Sequence, residues 1–253
     1  MIAYFSGTGN RRFVAQELAR ETGDKATDMV RPSGDTTEGR TDVLGIVYPV
    51  HAWGIPATVQ EYLKSDRFPG KRFAYIYAVC TCGDDVGKNV RLLRHLLERQ
   101  GCRLQSMWSV QMPNTYVSFP FFDIDSRTVT EEKLKAARER IPQIAQFINR
   151  KEKGITDVTP GAMPRLKSYL LRPLFNKFII GDRWARTRTG CSHCGKCAKV
   201  CPLHNITLNA DKSPQWNGHC ITCLACYHYC PEHCIEFSRF SRGKGQYYFK
   251  KHE

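Results

Sequence analysis

The chain has 253 residues, 12 cysteines and 38 Lys and Arg against 24 Asp and Glu, a formal net charge of +14. Hydrophobic residues at 42% and aromatics at 11% suffice to bury a core, which excludes a wholly disordered chain. No apolar run approaches the roughly 18 residues of a membrane-spanning helix, and MIAYFSGTGN has neither the basic start nor the cleavage site of a signal peptide. The expected compartment is the reducing cytoplasm, where many thiols mean metal or redox chemistry rather than disulfides.

Neither cysteine nor charge is spread evenly. Three cysteines fall in residues 1–150 and nine between Cys191 and Cys234. Residues 1–150 hold 21 Lys and Arg against 17 Asp and Glu, whereas residues 151–253 hold 17 against 7. The split predicts an α/β domain over 1–150, a basic helical connector over 151–188, and a cysteine domain over 189–253 that ends in a basic tail.

Ile2–Phe5 reads as a short apolar strand leading into Ser6-Gly7-Thr8-Gly9-Asn10 and then a helix over Phe13–Glu21. Two hydroxyls, an amide and two glycines before a helix suit an anion. The loop is not a Walker A, because no Gly-Lys-Ser/Thr follows, and Arg12 stands where a dinucleotide fingerprint needs its third glycine. It matches the FMN phosphate loop of flavodoxins, [ST]-x-T-G-x-T, with Arg11 in place of the last threonine. That exchange removes a hydroxyl and adds a cation, directed at either phosphate or solvent.

Ala26–Val30 is a weak strand and residues 31–42 read as loop. Val43–Val50 is nearly continuous in apolar residues, as in a parallel strand buried on both faces, and Pro56 opens a helix through Tyr62. Between them, Pro49, Val50, His51, Ala52, Trp53 and Gly54 lie at the carboxyl end of a strand, where open α/β sheets take ligands. Trp53 could stack on a flavin ring or pack in the core, and His51 reads as a loop hydrogen-bonder rather than a general acid. After the strand Phe73–Val79, the loop Cys80-Thr81-Cys82-Gly83-Asp84 is placed on the other side of the ring, with Thr81, Cys82 and Gly83 as its contacts. Cys80 and Cys82 are expected to be packing thiols, not a catalytic pair, and Cys102 a core residue. A helix over Val86–Arg99, a strand over Leu104–Met112 and a helix over Thr130–Asn149, capped by Thr130, complete a doubly wound α/β sheet.

In the connector, Leu166–Ile180 is a basic amphipathic helix interrupted by Pro173. It is expected to pack its apolar stripe on the domains rather than lie on a membrane.

Residues 191–202 and 220–231 both read C-x2-C-x2-C-x3-C-P, 29 residues apart. This is the bacterial pattern for two [4Fe–4S] clusters, in which the fourth cysteine of each motif serves the other cluster. One cluster then takes Cys191, Cys194, Cys197 and Cys230, and the other Cys220, Cys223, Cys226 and Cys201. A zinc ribbon uses pairs of C-x2-C, not three cysteines in seven residues. A domain this small buries little core, so the clusters must also staple it. Ile206–Leu208 and Ile235–Phe237 read as short strands, and Cys234 as a buried free thiol. In the tail, Tyr247, Tyr248 and Phe249 among basic residues suggest an edge strand, with base stacking as the alternative.

With both motifs read, the chain resembles the flavodoxin–ferredoxin fusion proteins of anaerobic bacteria, the EFR-type ferredoxins. Tyr4-Phe5-Ser6-Gly7-Thr8-Gly9-Asn10, the Tyr48–Pro56 loop, Met112-Pro113-Asn114 and the paired cysteine motifs carry the resemblance. It implies a flavodoxin-like sheet of order 2-1-3-4-5 joined to a smaller α+β dicluster ferredoxin domain, with two [4Fe–4S] clusters and FMN as cofactors. The expected function is electron transfer between clusters and FMN. The alternatives are an FMN-dependent oxidoreductase acting on a quinone, nitro compound or disulfide, and a redox-sensing or nucleic-acid module. Acidic redox proteins are the expected partners, and nucleic acid is not.

Overall fold

The computed structural model describes residues 1–32 and 42–249. Most of the loop expected over 31–42 lies outside the described residues. β1 (Ile2–Tyr4), β2 (Ala26–Asp28), β3 (Val43–Pro49), β4 (Tyr75–Cys82), β5 (Ser106–Gln111) and β6 (Thr156–Asp157) form one sheet in the order β2-β1-β3-β4-β5-β6. Every neighbouring pair in it is parallel. This is the flavodoxin-like order 2-1-3-4-5 with a sixth edge strand drawn from the connector. β3 and β4 are buried along their whole length because helices cover both faces. α1 (Asn10–Thr22) and α4 (Arg127–Asn149) pack with Ile2, Val43, Val47 and Trp108. α2 (Ala57–Lys64) and α3 (Asn89–Glu98) pack with Ala3, Leu44 and Ile46 on the opposite face. Neighbours in sequence, such as Ile2 and Ala3, thus serve opposite cores, as a strand's period of two requires.

Three boundaries differ from the sequence pattern for local reasons. Ser126, not Thr130, caps α4, because its Oγ accepts the Val129 N–H at 3.3 Å. Pro56 stands just before α2 as its N-cap residue. β4 continues past Val79 to Cys82, since pairing with β3 extends to Pro49 opposite Thr81. Cys80, Thr81 and Cys82 therefore belong to a strand, not to the loop after it.

In the cysteine domain, β7 (Ala185–Thr187) pairs antiparallel with β10 (Ile235–Phe237), and β8 (Ile206–Leu208) with β9 (Pro214–Trp216). Two short helices, α7 (Lys196–Val200) and α8 (Ala225–His228), complete it. Its core is built from Cys197, Cys226, Cys230 and Cys234 as much as from Ile206, Ile235 and Phe237. The two units share their cores. Val117, in the segment between β5 and α4, is fully buried in the cysteine core, while Ile221 is buried in the sheet core.

The connector runs as α5 (Pro164–Leu166), a π-helical turn over Lys167–Leu171, and α6 (Arg172–Phe178). Pro173 sits in the first turn of α6, and the widened turn just before it replaces the expected break, because proline can neither donate to nor fit against the preceding turn. The tail over 242–249 forms no strand. It returns instead to the first loop of the sheet domain, where the Phe249 N–H donates to the Thr8 carbonyl at 2.8 Å.

Candidate functional site

The fold brings the cysteines together in two crossed sets. Cys191, Cys194, Cys197 and Cys230 line one small cavity, which Cys234 also reaches. Cys201 stands in electrostatic reach of Cys220, Cys223 and Cys226. The repeat extends to the backbone: His193 and Thr222 (φ 55° and 54°), Gly195 and Leu224 (69° and 60°), and His204 and His233 (51° and 50°) are left-handed at matching positions. A β-branched threonine in that region is strained, and the turn aims its own N–H at sulfur. Thr222 donates to Cys220 Sγ at 3.2 Å, His193 to Cys191 Sγ at 3.4 Å, and Asn205 to Cys201 Sγ at 3.3 Å. Such bonds favour thiolate and tune a cluster.

Burial pushes the Cys220 thiol up to about 11 and Cys223 to about 12, and holds Cys226 well above its ordinary value, with neighbouring cysteines adding to each. Four thiolates cannot share that space unless a cationic metal core compensates them. Among the described residues, no three His, Cys, Asp or Glu side chains close on a single-ion site. The crossed grouping of four thiols in each set is the donor set of a multi-iron cluster. Cys234 is buried, with Sγ 3.5 Å from Cys230 Sγ, so it packs against the first set as a fifth thiol.

The phosphate-type loop lies between β1 and α1. Gly9, the N-cap of α1, needs its left-handed φ of 98°, and the Ser6 Oγ accepts its N–H at 3.2 Å. The Thr8 hydroxyl and the Arg11 Nε are buried without a partner among the described residues. Burial pushes the Arg11 guanidinium down to about 10, and the nearby Cys82, Tyr247 and Cys223 offset this only in part. An anion beside Gly7 would meet the Arg11 guanidinium, so these two residues fit a phosphate. Ser6, Thr8, Gly9 and Asn10 of the predicted loop do not line the cavity, and Phe249 covers Gly9. The question left open by the sequence is settled in favour of the interior: Arg11 and Gly7 face a cavity. Asn10 does scaffold work instead, donating to the Pro113 carbonyl at 3.1 Å and bonding the Tyr247 hydroxyl at 3.1 Å.

That cavity measures about 760 Å³ and is walled by Pro49, Val50, His51, Ala52 and Trp53 on one side and Cys82 to Asp85 on another. His51 and Gly54 exchange both backbone hydrogen bonds at 2.9 Å, closing a tight turn in which Ala52 (φ 44°) and Trp53 (φ 56°) are left-handed. Strain of this kind persists only when its surroundings hold it. Here Ser168 Oγ donates to the Trp53 carbonyl at 3.0 Å, and Arg172 donates to the Ile55 carbonyl at 2.9 Å across Gly54. A Cβ on Gly54 would fall 1.9 Å from Arg172 Nε. Lys167 lies 5.6 Å above the Trp53 ring and pairs with Asp85 at 2.5 Å. His51 is held down to about 3, first by burial and then by Arg11 and Arg172, so its ring is neutral and does not serve as a general acid at neutral pH. Cys82 is pushed up to about 12 by burial, and Cys80 lies deeper still, which makes both poor nucleophiles. Thr81 is fully buried beside them and does not reach the cavity wall.

Three parts of the wall carry no sequence motif for a flavin site. Tyr116, Phe119 and Phe122 come from the segment before α4, and Lys167, Leu171 and Phe175 from the connector. The third part is Thr222, Cys223 and Leu224 of the cysteine domain. Gly7 abuts it directly, since a Cβ there would lie 3.1 Å from Cys223 Cβ. The connector's amphipathic pattern was the only available signal, and it does not say which surface the apolar side meets. His228, between two cysteines, locks this junction: its Nδ1 accepts the Tyr247 N–H at 3.1 Å, so its Nε2–H donates to the Thr115 carbonyl at 2.7 Å. The tail rings are also engaged within the chain, Phe249 stacked on Phe13 at 4.4 Å and Tyr248 on Tyr229 at 4.2 Å.

Residues 183–231 match the family described as a 4Fe–4S dicluster domain. No curated protein matches the chain. Similar solved structures include the rubredoxin oxygen:oxidoreductase of Desulfovibrio gigas, at 16% identity and TM-score 0.34, covering 57% of this chain and 35% of that one. They also include a flavodoxin, WrbA-like protein of Agrobacterium tumefaciens at 12% identity and TM-score 0.35, covering 57% and 95%. The Trp repressor binding protein of Bacillus subtilis is 12% identical at TM-score 0.38, covering 61% and 100%. The chain spans about a third of the length of the first. The strand order, not these distant likenesses, carries the fold.

Proposed function

From a chain that joins a flavodoxin-like sheet to a 4Fe–4S dicluster domain, we propose an electron-transfer protein in which a flavin site and the second cysteine site share one wall. A single observation carries this reading: Cys223 lines the same cavity as Gly7, His51 and Trp53. Cys191, Cys194, Cys197 and Cys230 would hold one cluster, and Cys220, Cys223, Cys226 and Cys201 the other. The Ser6–Gly9 loop and Arg11 would hold an FMN phosphate, with Pro49 to Trp53, Cys82 and Gly83 around the ring, while Gly54, expected there too, lies off the cavity against Arg172. When bound, FMN exchanges electrons singly or in pairs, whereas a [4Fe–4S] cluster passes them one at a time.

The chain's own residues set the conditions for that exchange. The connector and Tyr116 wall one side of the cavity, neutral His51 adds no charge beside the ring, and N–H groups on sulfur stabilise the thiolates. The net +10 of residues 151–253 suits acidic redox partners. Reductive titration of the holoprotein, followed by flavin and cluster absorbance and by iron and flavin content, tests the proposal. Flavin and clusters should equilibrate faster than mediators deliver electrons; slower exchange, or a protein holding only zinc, overturns it. A second reading, reduction of a small planar acceptor, is favoured by the cavity's apolar outer half at Leu174, Phe175 and Phe178. Saturable oxidation by such a compound would select it.

A further inference from the structure

Thirteen large apolar side chains stand exposed among the described residues, and eleven of them fall in two stretches, 119–122 and 163–184. The stretches adjoin, because the Tyr116 ring lies 5.8 Å from Phe122 and 5.6 Å from Phe175. The expected packing on the domains holds for one side of this helix only: Ser168, Arg172 and Phe175 meet the sheet domain, yet from Pro164 to Phe178 only Ser168 is buried. Helices in water are held mainly by burying an apolar face, and this one leaves Leu166, Tyr169 and Leu170 outward, away from the cavity. Beside it, Phe121 is 104% exposed on left-handed backbone at φ 66°, so the loop presents an aromatic ring entirely to solvent.

Charge on this face has one sign. Residues 161–190 contain seven Lys and Arg and one acid, Asp182, which is turned inward to Asn205 and the Gly218 N–H. Arg165, Lys177 and Arg183 are exposed and make no ion pair among the described residues. Uncharged polar groups are scarce: apart from buried Ser168, the helix offers Asn176 and the Tyr169 hydroxyl. A protein partner requires matched hydrogen bonds, about one per 100–200 Å² of interface; a bilayer requires none. Exposed Leu and Phe, a Trp at 184 and unpaired bases are the composition of a helix lying in a membrane interface.

We propose that this face docks the protein on an anionic bilayer, with α5–α6 in the headgroup plane and Phe121 inserted. Phe119, Phe122, Leu171, Leu174 and Phe178 belong both to the face and to the cavity wall, so the cavity opens toward the lipid, while Phe121, Met163, Leu166, Tyr169, Leu170 and Trp184 lie off that wall. No helix among the described residues is long and apolar enough to cross a membrane, so the contact is peripheral. The inference rests on those six exposed side chains, which do not line the cavity, and so does not depend on which cofactor fills it.

Cosedimentation of the full, cluster-loaded chain with vesicles tests it, comparing phosphatidylglycerol–phosphatidylcholine mixtures with phosphatidylcholine alone. Three unpaired basic residues, each contributing roughly fivefold near an anionic surface, give an expected preference on the order of 100-fold. The double variant Leu170→Asp, Phe121→Asp alters only exposed side chains and should bind at least about tenfold more weakly, with its cluster absorbance unchanged. Arg165→Ser with Lys177→Ser should remove most of the preference for anionic lipid. Equal binding to both vesicles overturns the proposal, as does no binding to either. In the latter case, a dimer in sedimentation velocity that the double variant dissolves would show a second copy covering the face, and a monomer would leave an acidic protein.

Discussion

Replacing Arg11 with methionine should make the flavin-free protein more stable while weakening its hold on FMN. The guanidinium is buried, its Nε has no partner, and burial pushes it from 12.5 down to about 10. At 1.36 kcal/mol per pKa unit this is a penalty of about 3 kcal/mol, an upper bound because part of the residue faces the cavity. A base whose folded pKa is lowered binds its proton more tightly when unfolded, so the penalty applies throughout the range below about 10 and fades only above it. Arg11→Met should therefore raise the melting temperature of flavin-free, cluster-loaded protein by about 2–8 °C. A charged hydrogen bond is worth about 1.5–3 kcal/mol, so FMN affinity should fall by about 10- to 150-fold. Thermal melts read the first effect and FMN fluorescence quenching the second. Riboflavin, which lacks the phosphate, should bind the variant and the parent alike. The reasoning is refuted if stability does not rise, or if riboflavin loses as much affinity as FMN.

Three other substitutions probe separate parts of the chain. Glu236 is buried at the β7–β10 pair and receives Arg186 at 2.8 Å, Arg242 at 2.9 Å and Arg188 at 3.3 Å; burial raises its carboxyl, and the bonds from Arg242 and Arg186 outweigh this and hold it below the usual range. Its contribution is present above the unfolded carboxylate value and is lost as pH falls through the folded one, so Glu236→Gln should cost about 2–4 kcal/mol near pH 7 in a urea titration and progressively less in acid. Cys201→Ala should cost only the second cluster, lowering bound iron by about half and sparing the EPR signal that Cys191→Ala removes; loss of the same signal in both variants would contradict the crossed assignment. Gly54→Ala must push Arg172 off the Ile55 carbonyl, which should expose the connector to protease and weaken flavin retention by about 1–3 kcal/mol in a quenching titration.

The parts legible in the sequence are those whose chemistry demands fixed spacing. Cubane ligation needs three cysteines within seven residues, so the two sets could be paired before any fold was known. The buried strands declared themselves because β3 and β4 must be apolar on both faces. β6 was not legible: at two residues, Thr156 and Asp157, it has no period to detect. Nor was the outer wall of the cavity, because Tyr116, Phe175 and Cys223 are far apart in sequence and meet only through tertiary packing. The tail misled for the same reason. Aromatics between basic residues look like an edge strand, yet Phe249 finds a better partner in Phe13, at the far end of the chain.

Val117 in the cysteine core, Ile221 in the sheet core and Phe249 on the first loop have a consequence for biosynthesis. Each unit completes its core with a residue supplied by the other. The sheet's first loop emerges early, but Tyr247 and Phe249 are made after everything they touch. Until they dock, Gly9 is uncovered, so the tail is the last piece of the chain laid over its first loop.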